Sequence, residues 1–533
     1  MSEPTGPLTL DGESLTPEQV VAVARHDASV ELAAEAREAI RDSRERIEHI
    51  VDEGDPVYGV NTGFGELVDT HIPREKLEGL QTNLVRSHAA GAGRELAREE
   101  VRAMLVTRVN ALAKGYSGIR EVVVDHLVTM LNAGVHPVVK SRGSLGASGD
   151  LAPLAHMALV LLGEGVADVD SADGSETRRL SGDEALAAAG LEPLTLKAKE
   201  GLALINGTQL SVGLAAMVVV DAERVLRAAD AAGALTTEVT LGTTASCDPA
   251  VHAARPHAGQ QATARNVKRL TEGSEIVESH RNCDRVQDAY CLRCIPQVHG
   301  AVRDAVGHLR EAVAVELNSA TDNPLVFARE QVDERASGTE VGAVISGGNF
   351  HGEPLALRLD YAVNALTELA AISERRVDRM VNPNLQEPHL PPFLTADSGF
   401  QSGYMIPQYT AVALLNECRS EGRPSMDNTP VSGGQEDHVS MSATSAFAAR
   451  RVAERVRTVV AIELLCAAQA SEFVDDTLTH APGTGAVYET VREVVPPLVD
   501  DRPPHPDIEA VASLVADGLL DERLEAVLSE SLE

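Results

Sequence analysis

Residues 141–156 read Ser-Arg-Gly-Ser-Leu-Gly-Ala-Ser-Gly-Asp-Leu-Ala-Pro-Leu-Ala-His, a glycine- and serine-rich turn running into an apolar stretch. Asp150 is placed to cap the helix that follows, and Pro153 falls in its first turn. The turn then ends at a helix N-terminus, with its free N–H groups and positive dipole end. Three readings are open. The turn can bind an anion, although it lacks the Gly-Lys-Ser/Thr ending of a phosphate loop and the Gly-x-Ser-x-Gly of a nucleophile elbow. It can be a flexible connector. Or it can react with itself. In Ala147-Ser148-Gly149 the Gly149 nitrogen can attack the Ala147 carbonyl carbon, an approach that the missing Cβ of glycine permits. Loss of water from the resulting ring, and of the Ser148 hydroxyl as a second water, leaves a methylidene-imidazolone. No ordinary side chain is such an electrophile, and a helix N-terminus beneath it would stabilise negative charge developing on the ring oxygen.

Aromatic residues make up 3 % of the chain, with no tryptophan, so their placement is informative. Tyr58 and Phe64 share the loop YGVNTGFGE, Tyr290 sits in RNCDRVQDAYCLRCIPQ, Phe350 in SGGNFHGEP, and Phe400 and Tyr404 in GFQSGYMIPQ. Each is flanked by Gly, Asn, Gln or Arg, where a core aromatic would have aliphatic neighbours. Loops that mix rare aromatics with polar groups are where binding sites are built. The six cysteines, at 247, 283, 291, 294, 418 and 466, form no disulfide framework. Cys291-Leu-Arg-Cys294 has the spacing of a metal pair, but no second such pair and no run of histidines accompanies it. No metal site is expected.

Helical periodicity supplies the elements that must position these loops. Residues 31–53 alternate apolar and charged groups at helical spacing and stop at Gly54-Asp55-Pro56. Similar stretches lie near 74–114, 118–133, 150–164, 198–230, 297–317, 354–381, 405–420, 438–473 and 506–530. Those at 198–230 and 438–473 are nearly apolar on all faces and must be surrounded by other helices. Strand signals are sparse, with short hairpins expected within 163–182 and 340–346. The expected fold is mainly α, a long central helical bundle with loop-rich ends. No repeat or linker is evident. Residues 1–533 read as a single unit, softly divided into 1–200, which carries the reactive turn, and 201–533, which carries the bundle.

Charge narrows the function. The chain has 80 Asp plus Glu against 46 Lys plus Arg, a net −34. Such a surface repels nucleic-acid phosphates and anionic membranes, so neither is expected as a partner. Lys76, Lys114, Lys140, Lys197, Lys199 and Lys268 are the only lysines. Many carboxylates and few lysines fit a protein adapted to concentrated salt, where screening removes self-repulsion. The N-terminal residues lack the basic and apolar regions of a signal peptide, and the apolar stretch 202–220 contains Asn206, Thr208, Gln209 and Ser211. A cytoplasmic location is expected.

RGSLGASGDLAPLAHMAL, YGVNTGFGE, LVRSHAAGAG, KEGLALINGTQ, QDAYCLRCIPQVHG, NSATDNPLVF, ISGGNFHGEP, SGYMIPQYTA and QEDHVSM together resemble histidine ammonia-lyases, from about residue 5 to about 528. The resemblance implies an ammonia-lyase/fumarase-like fold and non-oxidative removal of ammonia from L-histidine, giving trans-urocanate on the way to glutamate. It implies that a 4-methylidene-imidazol-5-one forms autocatalytically from Ala147, Ser148 and Gly149, through an Ala147–Gly149 cross-link and dehydration of Ser148, with no external cofactor. The methylidene carbon then takes the substrate at its amine or, in another scheme, at its imidazole ring.

By the same resemblance Tyr58 takes the β-proton, which requires a phenol held near its anionic form, since a free phenol has a pKa of about 10. Asn206 and Tyr290 hold the prosthetic group and the amine region, Arg293 clamps the carboxylate, and Gln287 and Phe350 line the pocket. His88, after Ser87, stands where phenylalanine-selective relatives are apolar and can meet an imidazole. Glu417 matches a carboxylate that accepts a hydrogen bond from that ring, although Asn416-Glu417-Cys418 departs from the common Ser-Glu-Asn. The resemblance also implies a homotetramer with active sites shared between subunits. The alternatives are a tyrosine or phenylalanine ammonia-lyase or aminomutase, and a non-catalytic protein on the same scaffold.

Overall fold

In the computed structural model the described residues are 6–54, 57, 59–60, 62, 72–171, 174–281, 285–333, 339–426 and 428–533. They are mainly helical, and the strands are short, as expected. Four helices are long: Gln209–Val239, Ile295–Leu317, Glu353–Val381 and Ser442–Ser471. Several predicted helices are interrupted. The stretch 74–114 is broken into the helices Leu77–His88 and Arg98–Ala113 by the strand Ala92–Glu95, and 198–230 breaks at Asn206-Gly207-Thr208. Gly207 has φ +132°, outside the helical range. The helix Ala34–Glu53 stops where the sequence predicts, on Gly54 at φ +84°. Within 163–182 the strands Val166–Asp170 and Thr177–Ser181 form the expected hairpin, whereas Gly342–Ile345 pairs back to Leu325–Ala328.

The chain divides into two compact units. The first comprises 1–217, 310–360 and 423–447; the second comprises 218–309, 361–422 and 448–533. Within the first, the helix Arg98–Ala113 is buried on nearly every face, and the helix Leu151–Leu161 packs on Leu77–His88 and on Glu200–Ile205. In the second, the helix Pro482–Val494 packs on Ala258–Thr271 and Leu519–Leu528. Fully buried carboxylates on its helices are paired, as burial requires. Glu463 accepts from Thr236 Oγ1 at 2.9 Å, Ser373 Oγ at 2.6 Å and Arg376 Nε at 2.5 Å. Glu238 accepts from Ala481 N at 3.1 Å and Thr484 Oγ1 at 2.9 Å. Among the described residues no helix is long and apolar enough to cross a membrane, and the described cysteines are free thiols.

Candidate active site

The turn from Gly143 to Asp150 joins the strand Lys140–Arg142 to the helix Leu151–Leu161. Gly149 has φ +74°, and a Cβ there would lie 2.1 Å from the Gly207 carbonyl oxygen. No side chain fits that approach. Asp150 N donates to the same oxygen at 2.7 Å. On the other side, Gly352 N donates to Gly146 O at 2.9 Å, Ser440 Oγ to Gly146 O at 3.0 Å, and Met441 N to Leu145 O at 2.7 Å. The turn is thus held by three segments: 206–208, the loop before the helix Glu353–Val381, and 440–441. Phe350, half-buried, lies two residues before Gly352.

Asp150 does not cap the helix it precedes, since its side chain makes no hydrogen bond there. Its carboxylate accepts instead from Ser211 N at 2.8 Å and Ser211 Oγ at 3.0 Å, in the first turn of Gln209–Val239, and from Ser144 Oγ at 2.7 Å. A helix separated by sequence competes for this carboxylate and wins. Full burial pushes the Asp150 carboxyl above the ordinary range, against the pull of the Ser211 and Ser144 donors.

Asn206 ends the helix Glu200–Ile205, and its Nδ2 donates to Ser148 O at 2.8 Å. The donor found on this oxygen is therefore a side-chain amide, where the sequence suggested a helix N-terminus. Asn206 Oδ1 is buried and has no hydrogen-bond partner. The backbone behind it is fixed by Arg108, which is fully buried and donates to Asn206 O at 2.8 Å, to Gln209 Oε1 at 2.5 Å and to Ala203 O. Burial pushes the guanidinium down to about 10, so it remains a cation at neutral pH. Two ion pairs brace this helix: the buried pair of Lys199 Nζ with Asp322 Oδ2 at 2.7 Å, and the buried Glu200 with the half-buried Arg120 at 2.6 Å. Removing one partner of such a pair is strongly destabilising because the other charge is left unpaired. The sequence reading missed Arg108, Lys199 and Asp322. A charged residue inside the apolar run MLVTRVNALA was the available clue.

His88 is the last residue of Leu77–His88, half-buried, with Nδ1 2.8 Å from Leu84 O and 3.1 Å from Ser87 Oγ. A peptide oxygen only accepts, so Nδ1 carries the hydrogen and Nε2 of the neutral ring is an acceptor. Gly91 N donates to His156 Nε2 at 3.0 Å, tying the loop after His88 to the helix that follows the reactive turn. Tyr58 and Phe64 lie outside the described residues. The neighbouring Gly59, at φ +73°, packs so closely that a Cβ would fall 2.7 Å from Pro324 Cδ and 3.0 Å from Leu202 Cδ2.

The remaining predicted residues, Gln287, Tyr290, Arg293 and Glu417, belong to the second unit. Tyr290 opens the short helix Tyr290–Arg293 and is 71 % exposed, and the Arg293 guanidinium stacks over its ring at 4.6 Å. The carbonyl of Cys291 between them accepts from the fully buried Arg376 at 3.4 Å. Gln287 is exposed. Glu417 has a side chain 57 % exposed and pairs with Arg455 Nε at 2.9 Å. Glu436, four residues before Ser440, is a carboxylate on a segment that touches the turn, and the sequence reading did not single it out. Of the aromatics, Phe400 is exposed, whereas Tyr404 is 1 % exposed and is a packing residue.

The profile of the aromatic amino acid lyase family matches residues 15–493. A protein of Halobacterium salinarum named "Probable histidine ammonia-lyase" is 63 % identical over 525 residues, 98 % of this chain and 99 % of its own. Among solved structures, histidine ammonia-lyase from Trypanosoma cruzi is similar with a TM-score of 0.88 and 40 % identity, covering 98 % of this chain and 95 % of its own. Tyrosine aminomutase from Streptomyces globisporus is similar with a TM-score of 0.90 and 39 % identity, covering 99 % of this chain and 100 % of its own.

Proposed function

The chain belongs to the aromatic amino acid lyase family, and from that premise we propose that it removes ammonia from L-histidine without oxidation, releasing trans-urocanate as the first step of histidine breakdown toward glutamate. The observation that carries the proposal is the hydrogen bond from Asn206 Nδ2 to Ser148 O within a turn that only glycine can close at 149.

That turn fits a 4-methylidene-imidazol-5-one made from Ala147, Ser148 and Gly149. Ser148 O would become the ring oxygen, and it already has its donor; Gly149 brings no Cβ to obstruct closure. Once formed, the group supplies an electrophile that converts the substrate amine into a better leaving group. Asn206 polarises that oxygen, and its unpartnered Oδ1 is available to an amine. Arg108 keeps Asn206 in place from behind. Tyr58 takes the β-proton, Gln287 and Tyr290 attend the amine, and Phe350 packs against the substrate. The Arg293 guanidinium receives the carboxylate, for which its planar fork is suited. His88 Nε2 accepts from the imidazole N–H, a contact that the phenyl ring of phenylalanine cannot offer. Glu417 is the proposed second imidazole contact, and Glu436 competes for that role by its position.

The rival reading, a tyrosine or phenylalanine lyase or aminomutase, is supported by the likeness to the tyrosine aminomutase structure. Incubating the purified protein with L-histidine, L-tyrosine or L-phenylalanine separates them, the conjugated acids by absorbance and any β-amino acid by chromatography. Urocanate alone is expected; coumarate, cinnamate or a β-amino acid as the main product would overturn the assignment.

Each chain is proposed to act as one cytoplasmic ammonia-lyase unit, 1–533, within a homotetramer whose active sites are shared between subunits. The exposure of Tyr290, whose role requires a closed pocket, supports this reading. Chains carrying Ser148→Ala and chains carrying Arg293→Ala, each inactive alone, should then recover part of the activity in doubly tagged mixed oligomers. Mixed oligomers as inactive as their parents would confine each pocket to one chain.

A further inference from the structure

His351 and His438 lie 87 residues apart in sequence, yet their imidazoles stack with ring centroids 5.6 Å apart and planes 11° from parallel. Glu353 completes the group: one ligand atom from each of the three lies within 4.8 Å of the others. Glu353 Oε2 is buried and makes no hydrogen bond, and His438 Nε2 is 3.9 Å away, beyond hydrogen-bonding range. The Glu353 side chain as a whole is 29 % exposed, and its shielded oxygen beside two imidazoles is a place where a cation would supply the missing partner. Two histidines and one carboxylate are the ligands of many divalent transition-metal sites, which keep a further position open.

We propose that His351, Glu353 and His438 bind one divalent transition-metal ion of the Zn²⁺ or Co²⁺ type. Metal–ligand bonds of about 2.0–2.2 Å require the three donors to draw in by a change of side-chain rotamer. His351 Nε2 gives up its contact with His438 O, now 3.3 Å, to reach the ion. The consequence lies in which segments the ion would join. Gly352, next to His351, donates to Gly146 O, and so does Ser440, two residues beyond His438. An ion here pins together the two segments that clamp the reactive turn at Gly146. The charge of −34 raises the local concentration of cations but provides no such ligand set by itself.

The test uses the full-length protein, stripped of metal with a chelator and held in molar KCl so that diffuse cation binding is screened. Titration with Co²⁺ should give one ion per chain with the visible bands of histidine-ligated cobalt, and equilibrium dialysis with Zn²⁺ should give the same stoichiometry. His438→Gln, at a side chain 66 % exposed and so tolerant of change, and Glu353→Gln should each weaken binding by about tenfold or more. His49→Gln, which removes another His–Glu pair in the first unit, should leave binding unchanged. Failure of the wild-type chain to bind Co²⁺ with histidine bands would overturn the proposal. So would wild-type affinity in folded His438→Gln protein.

Discussion

The Nδ2 of Asn206 stands 2.8 Å from the carbonyl oxygen of Ser148, across 58 residues of sequence. This contact places a donor on the one oxygen where the proposed chemistry accumulates charge, and Arg108 fixes the backbone that carries it. Asn206→Ala should therefore lower kcat by about a hundredfold to a thousandfold, the usual cost of a lost oxyanion donor. KM for histidine should change far less. A kcat within a few-fold of wild type, in protein of unchanged circular dichroism, would remove Asn206 from the chemistry.

The two candidate carboxylates make opposite predictions. If position relative to the reactive turn decides, Glu436→Gln should reduce kcat/KM for histidine by about tenfold or more, the equivalent of 1.4 kcal/mol. Glu417→Gln, at a side chain paired with Arg455, should then have little effect. The reverse order of effects would restore Glu417 to the imidazole contact.

Much of this arrangement was legible in the sequence. Ala147-Ser148-Gly149 leaves three readings open, and the resemblance to histidine ammonia-lyases singles out the self-reacting one; the close approach at Gly149 is consistent with it. The long apolar helices announce a mainly α fold because their periodicity survives without context. Asp150 was misread for a physical reason: local capping rules see only the helix that follows, whereas Ser211 offers a backbone and a hydroxyl donor together from another helix. Arg108 and the Lys199–Asp322 pair were missed because burial of a charge depends on a partner 123 residues away for the lysine, and on turn carbonyls for the arginine. The pairing of His351 with His438 could not be read from spacing at all.

Glu316 gives a pH-dependent test of the support behind the turn. It accepts from Thr208 Oγ1 at 2.5 Å, and burial, with Asp150 nearby, pushes its carboxyl from 4.5 up to about 7. A raised folded-state pKa means that the folded chain holds a proton the unfolded chain releases. This contribution to stability is full below 4.5 and is lost as pH rises through about 7. Glu316→Gln should gain stability relative to wild type between about pH 5 and pH 8, measured by denaturant melts. A constant difference across that range would show that Glu316 titrates normally.

The net charge of −34 predicts that the thermal midpoint rises between dilute buffer and molar KCl, as screening relieves repulsion among carboxylates. An equal or higher midpoint in dilute buffer would reject salt adaptation and leave the enzymatic assignment untouched.

The central claim is that the chain makes its own electrophile from Ala147, Ser148 and Gly149, and intact-protein mass spectrometry followed by peptide mapping addresses it most directly. Active wild-type protein should be lighter than its sequence by two waters, with the whole deficit in the peptide that contains 147–149. Ser148→Ala should lose the dehydration of residue 148 and nearly all urocanate formation. Wild-type protein that turns over histidine at its full sequence mass would contradict the account.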